Sequence, residues 1–349
     1  MKDAVGSSEL DYPFGALETS EPREIAPGLF VVPLPVPFPP GAVCSVVLDD
    51  GDGWTIVDTG LRLDQTKALW RRLLETNFAA KPVRRVIGTH HHPDHIGLAG
   101  WFQSEFGAEL WMPRTSWLFA RMLQLDAWTE PPAEAAAFHH RAGYDPEMMA
   151  RWRERAKQNF SVTVEPIPLG FRAIEEGSEI EFGGRRWRVL FGHGHAPDHA
   201  VFVCDAEQIV IAGDQVLPRI TPNIGVYATE PDADPLGDWM ASCARLAERL
   251  DDRLLIVPGH GDPFRGAGRR LRTVLDKHVR SLDRLVDHIA QPRSVVECFP
   301  ALFRREITPA LEGLATVETL AHLNHLWRQG RVVRRERADG VYQWSRAHE

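Results

Sequence analysis

Cysteine is scarce in this chain, and the four present, Cys44, Cys204, Cys243 and Cys298, never form a CxxC pair. That scatter speaks against a zinc knuckle and offers no disulfide framework, so reduced thiols and a cytoplasmic location are expected. Long apolar runs are missing too. No uncharged stretch reaches the roughly 18 residues of a membrane span, and "MKDAVGSSELDYPFGALETS" places acidic residues where a signal peptide has its apolar core. Neither a membrane role nor export is expected. Positive charge is in deficit, 40 Lys and Arg against 48 Asp and Glu for a formal net charge of -8. That sign is wrong for a protein whose main work is gripping nucleic acid. No GxSxG is present, so nothing announces a serine nucleophile. What remains is ordinary globular composition, 44% hydrophobic and 25% charged over 349 residues, enough for one main domain with attachments.

The pattern along the chain divides into a leader (1–27), a β-rich body (28–265) interrupted by a helical insertion (113–159), and a C-terminal region (266–349). In the body "LFVVPLPVPF", "AVCSVVLDD" and "GWTIVDTG" read as strands separated by Pro, Gly and Asp. "LDQTKALWRRLLETN" has helical spacing, "RRVIGT" is a strand, and a helix is expected from about Ile96 to Phe106. The insertion is helical in pieces broken at "TEPP" and "AGYDP". Strands are expected again at "SVTVEPIPL", at "SEIEFGGRRWRVLFGHG" with a hairpin turn on Gly183 and Gly184, at "HAVFVCDAEQIVIAGD" and at "LLIVPGH". A long amphipathic helix should run from about Gly266 to Ile289. Two further helical stretches and two β-rich runs joined at Asp339 and Gly340 make a winged-helix-like tail, which could serve packing, homodimerisation or, through its basic wing, a nucleic-acid contact.

The chemistry concentrates in "GTHHHPDHIG", where six residues hold four histidines, an aspartate and a proline. Neutral imidazole and carboxylate are zinc donors, and a catalytic site leaves one position open. On an extended or looped backbone His90 and His92, two apart, can point the same way, with Asp94 and His95 offset for a second ion. Further donors are expected in loops directly after strands. Three such places occur, "LFGHGH" ending at His195, "IAGD" ending at Asp214 and "VPGH" ending at His260.

These blocks, with Asp58 in "VDTG", occur in one order across about residues 28–265, and in them the chain resembles the metallo-β-lactamase-fold hydrolase superfamily. The resemblance implies an α+β fold, an αβ/βα four-layer sandwich of two β-sheets face to face with helices outside and the site at one edge. It also implies a metal ligand set: His90, His92 and His195 for one ion, Asp94, His95 and His260 for the other, Asp214 bridging, and Asp58 orienting a histidine ligand. His193 stands where many relatives have proline and is the alternative to His195. Two divalent cations are implied, zinc first, with iron or manganese able to use the same donors. His91 is expected to point away from the metals, His199 to support its loop, and His139 and His140 to lie on a solvated surface.

Two such ions against the charges of Asp94 and Asp214 would leave the site electropositive, and a bridging water would ionise near neutral pH to serve as the nucleophile. Asp94 and Asp214 are the expected catalytic carboxylates, Asp94 carrying the proton onward. Tyr227, with Arg219 and Asn223 nearby in sequence, is the chosen hydrogen-bond donor to substrate. Trp117, Phe119, Met122, Leu123 and Trp128 offer an apolar lid. The expected substrate is a small molecule with an acyl group: an ester, thioester or lactone, nearer to the glyoxalase II, lactonase and thioesterase-like branches than to true β-lactamases. A metallo-nuclease is the alternative, resting on Arg328, Arg331, Arg334, Arg335 and Arg337. An iron-dependent persulfide dioxygenase-like enzyme is the third reading.

Overall fold

The computed structural model describes residues 10–157 and 159–347. Part of the stretch read as a leader, 1–9, lies outside them. The chain divides into two compact units: 1–127, 160–222 and 246–271 form the first, and 128–159, 223–245 and 272–349 the second.

The first unit holds two sheets. One has seven strands in sequence order: β1 (Arg23–Ala26), β2 (Leu29–Pro35), β3 (Ala42–Asp49), β4 (Trp54–Val57), β5 (Val83–Ile87), β6 (Glu109–Pro113) and β7 (Arg172–Ile174). It is antiparallel from β1 to β4 and parallel from β4 to β7. The other has five strands in the order β12-β11-β10-β9-β8: β8 (Glu179–Phe182), β9 (Arg185–Gly192), β10 (His199–Cys204), β11 (Ile209–Gly213) and β12 (Leu255–Pro258). Alternation along the strands decides what each face buries. Val31, Val46, Val57 and Ile87 meet Trp187, Val189, Phe202, Ile211 and Val257 of the second sheet in one core. Their neighbours Val32, Val47, Ile56 and Val86 turn the other way, onto Trp70 and Leu73 of α1 (Asp64–Glu75) and onto Phe102. The first sheet thus has buried residues on both faces, as parallel strands require.

The expected hairpin turn is present: Gly183 and Gly184 sit at φ +61° and +64°, the pair of left-handed residues a tight β8–β9 connection demands. The expected helix near Ile96 is two pieces, α2 (Pro93–Ile96) and α3 (Ala99–Phe106). One expectation fails. "SVTVEPIPL" is no strand but the end of a helical turn and an extended segment. Glu165 donates its N–H to Gly97 O and Ile167 to the Gln124 side chain, so these backbone donors are engaged away from any sheet, and Pro166 and Pro168 have no N–H to give a ladder. The sequence pattern does not reveal three short strands, β1, β6 and β7.

The insertion contains α4 (Arg114–Leu125), α5 (Ala133–Arg141) and α6 (Pro146–Ala156), followed by α7 (Phe160–Thr163). Helix α4 belongs to the first unit and α5 and α6 to the second. Beyond β12 the chain passes through α9 (Ala267–His288), after α8 (Pro235–Arg249) has come between β11 and β12, and then α10 (Phe299–Leu302), α11 (Glu312–Arg328) and the ribbon β13 (Val332–Glu336) and β14 (Tyr342–Arg346). Within the second unit, Glu312 at the head of α11 takes Arg151 and Arg155 of α6 at 2.6 and 3.0 Å, and the Tyr144 hydroxyl meets Thr316 at 3.0 Å. Among the described residues no helix is long and apolar enough to cross a membrane.

Candidate metal centre

Each expected donor lies at or just beyond a strand end of the first unit. His90 to His95 follow β5, His195 follows β9, Asp214 follows β11 and His260 follows β12. Because strands pair side by side within each sheet and the two sheets pack on one shared core, their ends bring loops distant in sequence to one edge. Three donor groups form there, each with its atoms within 4.8 Å of one another: His90, His92 and His195; His90, His95 and Asp214; and Asp94, His95 and His260. All seven residues expected to hold metal are therefore brought together. His193 is not among them; its Nδ1 donates to Pro197 O at 2.5 Å, within its own loop.

Hydrogen bonding fixes which ring nitrogen three of the donor histidines present. Thr89 has one hydroxyl proton and gives it to Asp58 Oδ2 at 2.8 Å, so the 2.9 Å contact to His90 Nδ1 has the imidazole donating. His95 Nδ1 donates to the same carboxylate at 2.7 Å, and His260 Nδ1 to Ala42 O at 2.7 Å, since a carbonyl can only accept. The Nε2 lone pairs of all three are left for the cluster. Asp58 thus orients two histidines at once, one directly and one through Thr89. Its own backbone is held at φ +59°, a conformation Asp tolerates better than most residues, by donating to Ile87 O and accepting from Ser45 Oγ at 2.6 Å.

The residues fit divalent cations. His95 Nε2 and Asp214 Oδ1 are both buried without a hydrogen-bond partner and lie 3.4 Å apart. Two lone pairs aimed at each other at that distance call for positive charge between them. The local field agrees. Burial alone pushes the His95 imidazole down, yet Asp214, Asp58 and Asp94 hold it well above its ordinary value. Burial pushes Asp214 up, but His260 and His95 bring it well below the carboxylate range. His90 and His92 are driven well below theirs by burial and by neighbouring imidazoles, which keeps their lone pairs available. Asp214 Oδ2 lies 3.5 Å from His195 Nε2 and 3.6 Å from His260 Nε2, so one oxygen addresses both donor sets. Gly259 makes room for it: a Cβ there would stand 2.2 Å from Asp214 Oδ1.

Residues around the centre have separate duties. His199 accepts the Asp214 N–H at 3.0 Å and stacks on His90 at 4.5 Å, supporting both. His91 is buried beside His92 and its ring lies 5.5 Å from Phe119. Thr89 is the functional residue sequence reasoning missed; its signal was a hydroxyl directly before the first histidine and one strand from Asp58. Tyr227 lies in the second unit; the residue is 51% exposed, while burial of its phenol and the nearby Glu318 push the hydroxyl above its ordinary value. Trp117, read as part of a lid, stacks on Phe171 at 4.4 Å and donates its indole N–H to Pro168 O, which makes it a packing residue.

A fold of two facing sheets whose strand ends gather His and Asp at one edge defines a metallo-hydrolase class. The chain belongs to the metallo-beta-lactamase superfamily, whose family model matches residues 38–260; a second model, "Metallo-beta-lactamase-like, C-terminal domain", matches 282–347. The crystal structure of a "Beta-lactamase domain protein" from Burkholderia ambifaria is similar over 98% of this chain and 99% of that one, with TM-score 0.90 and 33% identity. "Probable metallo-hydrolase YqjP" of Bacillus subtilis (strain 168) is 26% identical over 310 residues, 85% of this chain and 92% of that protein. "Hydroxyacylglutathione hydrolase GloC" of Haemophilus influenzae is 23% identical over 223 residues, 62% of this chain and 84% of that protein.

Proposed function

We propose that the protein is a binuclear metal-dependent hydrolase of an ester, thioester or lactone. The observation that carries this reading is the single Asp214 oxygen standing 3.5 and 3.6 Å from the donor nitrogens of two histidine sets. His90, His92 and His195 would hold one ion, Asp94, His95 and His260 the other, and Asp214 would bridge. Bound divalent cations supply Lewis acidity toward a carbonyl and lower the pKa of water to about 7.

The chain's own residues then divide the remaining work. The Asp58–Thr89–His90 and Asp58–His95 hydrogen bonds keep the donors in one tautomer throughout turnover. Asp94, whose side chain is 14% exposed against 8% for Asp214, is the carboxylate placed to accept a proton from the attacking water and return it to the leaving alkoxide or thiolate. Membership in the superfamily and the hydroxyacylglutathione hydrolase among the relatives support acyl transfer to water.

The basic residues of the tail argue against a nuclease. Arg331 pairs with Asp283 at 2.9 Å and Arg334 with Asp232 at 2.7 Å, Arg337 pairs with Asp339, and Arg328 donates to Asp232 O. Arg334 also lies 4.4 Å from the Trp327 ring and 4.8 Å from Tyr342. Four of the five arginines are thus engaged within the second unit, and the exposed Arg335 by itself makes no phosphate track.

The test is elemental analysis of purified protein together with a screen of acyl thioesters, lactones, aryl esters and RNA. Two equivalents of metal and hydrolysis of an acyl substrate are expected, with activity lost on chelation and in His92→Ala while the circular dichroism spectrum is retained. Cleavage of RNA alone, or full activity after complete demetallation, would overturn the reading.

A further inference from the structure

Helix α4 has three differently employed faces. Trp117, Arg121 and Gln124 point at the segment 165–171: Trp117 stacks on Phe171, Arg121 donates to Ile167 O at 3.1 Å, and Gln124 donates to Glu165 O at 3.1 Å. Leu118 and Leu125 point to solvent, 51% and 72% exposed. The remaining face looks at the loops of the candidate centre. Ser116 Oγ donates to Asp198 O at 2.5 Å, three residues beyond His195, and Phe119 lies on His91, between His90 and His92. One turn of helix therefore touches both loops that supply the His90, His92 and His195 set.

From that point the helix continues with Met122 and Leu123, at i+3 and i+4 from Phe119 and so on its side of the helix. All three are only partly buried. Phe119 joins neither of the two sheet-and-helix cores of the first unit, unlike Trp117 and Ala120. An apolar strip about 6 Å long at 1.5 Å per residue thus starts at the donor cluster and leads away from it.

We infer that this strip selects the substrate's acyl group: an unbranched aliphatic chain lies along Phe119, Met122 and Leu123, with its carbonyl at the His90–His92–His195 end. The inference rests on the acyl-hydrolase reading above and adds the substrate class to it. Phe119 and Met122 are specificity-determining residues here, and the chemistry is carried by others. An aliphatic chain gains by leaving water against such a strip, and each methylene so buried is worth about fourfold in affinity, the factor equivalent to about 0.8 kcal/mol.

Two measurements on the metal-loaded full chain test this. The first is kcat/KM for p-nitrophenyl acetate, butyrate, hexanoate and octanoate. The second is calorimetric binding of the matching free carboxylates, which needs no turnover. In the wild type both should rise with chain length by up to about fourfold per methylene and level off once the strip is covered. Phe119→Ala combined with Met122→Ala should flatten both series while leaving the metal content unchanged, and Leu118→Ala, on the solvent-facing side of the helix, should leave both series as they are. Chain-length-independent binding in the wild type, or an undiminished slope in the double variant, overturns the inference, and the wild-type series decides even if the double variant misfolds. Carboxylate binding that lengthens with the chain and depends on Phe119, in a protein that hydrolyses no ester, would keep the strip and remove the reaction.

Discussion

Asp58 is the residue on which the candidate centre turns, although nothing here makes it a metal ligand. Its carboxylate takes the Thr89 N–H, the Thr89 hydroxyl and His95 Nδ1 at 2.7 to 2.8 Å, and through Thr89 it reaches His90. Asp58→Asn preserves the shape but puts an N–H₂ group where an acceptor is required, so one imidazole loses its orientation. We expect metal affinity to fall by about 10- to 100-fold, read by competition with a chelator, with the thermal midpoint of the chelated protein changing far less than that of the loaded one. An unchanged affinity would remove Asp58 from the centre. Much of this was legible in the sequence, because "VDTG" after an apolar run and "HHHPDH" after another are recognisable by residue type and context. The part played by Thr89 was not, since a threonine before a histidine has no meaning until the loop's partner is known.

Among the elements, the hairpin between β8 and β9 shows how local rules and tertiary contacts combine. Gly183 and Gly184 both need positive φ, but a Cβ on Gly183 would also stand 2.6 Å from the Leu48 side chain, whereas one on Gly184 meets nothing within 4 Å. Gly184→Ala should therefore cost only the backbone strain of the left-handed region, about 1 kcal/mol. Gly183→Ala adds overpacking, worth a further 1–3 kcal/mol or so. Equal shifts of the urea midpoint in the two variants would contradict this account. The turn was readable because two glycines between alternating apolar residues leave few alternatives. "SVTVEPIPL" misled because β-branched residues suit a strand, while its backbone donors are engaged by Gly97 O and Gln124. Strand β6 was missed for the opposite reason: five residues ending in proline show no alternation, and only their place between β5 and β7 makes them a strand.

On the scale of the whole molecule, acid stability depends on histidines far from the chemistry in sequence. In the second unit His322 Nδ1 donates to Glu318 O, and His278 Nδ1 lies 3.4 Å from His322 Nε2; both rings are buried. Burial, then the charges of neighbouring His, Lys and Arg groups including Lys277, Arg284 and His325, push His278 down to about 3 and His322 to about 4. Both pKa values are lower folded than unfolded, so below pH about 6.5 the unfolded chain takes up protons that the folded one does not. Stability is then lost as pH falls from about 6.5 toward 4, at up to about 1.4 kcal/mol per pH unit for each ring. Replacing both by Gln should reduce the loss of denaturant stability between pH 7.5 and 5.5. An identical loss in wild type and double variant would exclude these two rings as its source.

The sequence by itself determined the donor inventory, because ligand chemistry is a property of residue type and the strand before each donor can be read from local alternation. Only the tertiary structure decided that one oxygen of Asp214 reaches both histidine sets, that Asp58 and Thr89 hold two rings together, and that α4 runs alongside the centre while α5 and α6 belong to the other unit. Those facts depend on strand pairing and helix docking between segments tens to hundreds of residues apart, and such pairings are set by how two sheets bury their shared core, which no local pattern encodes.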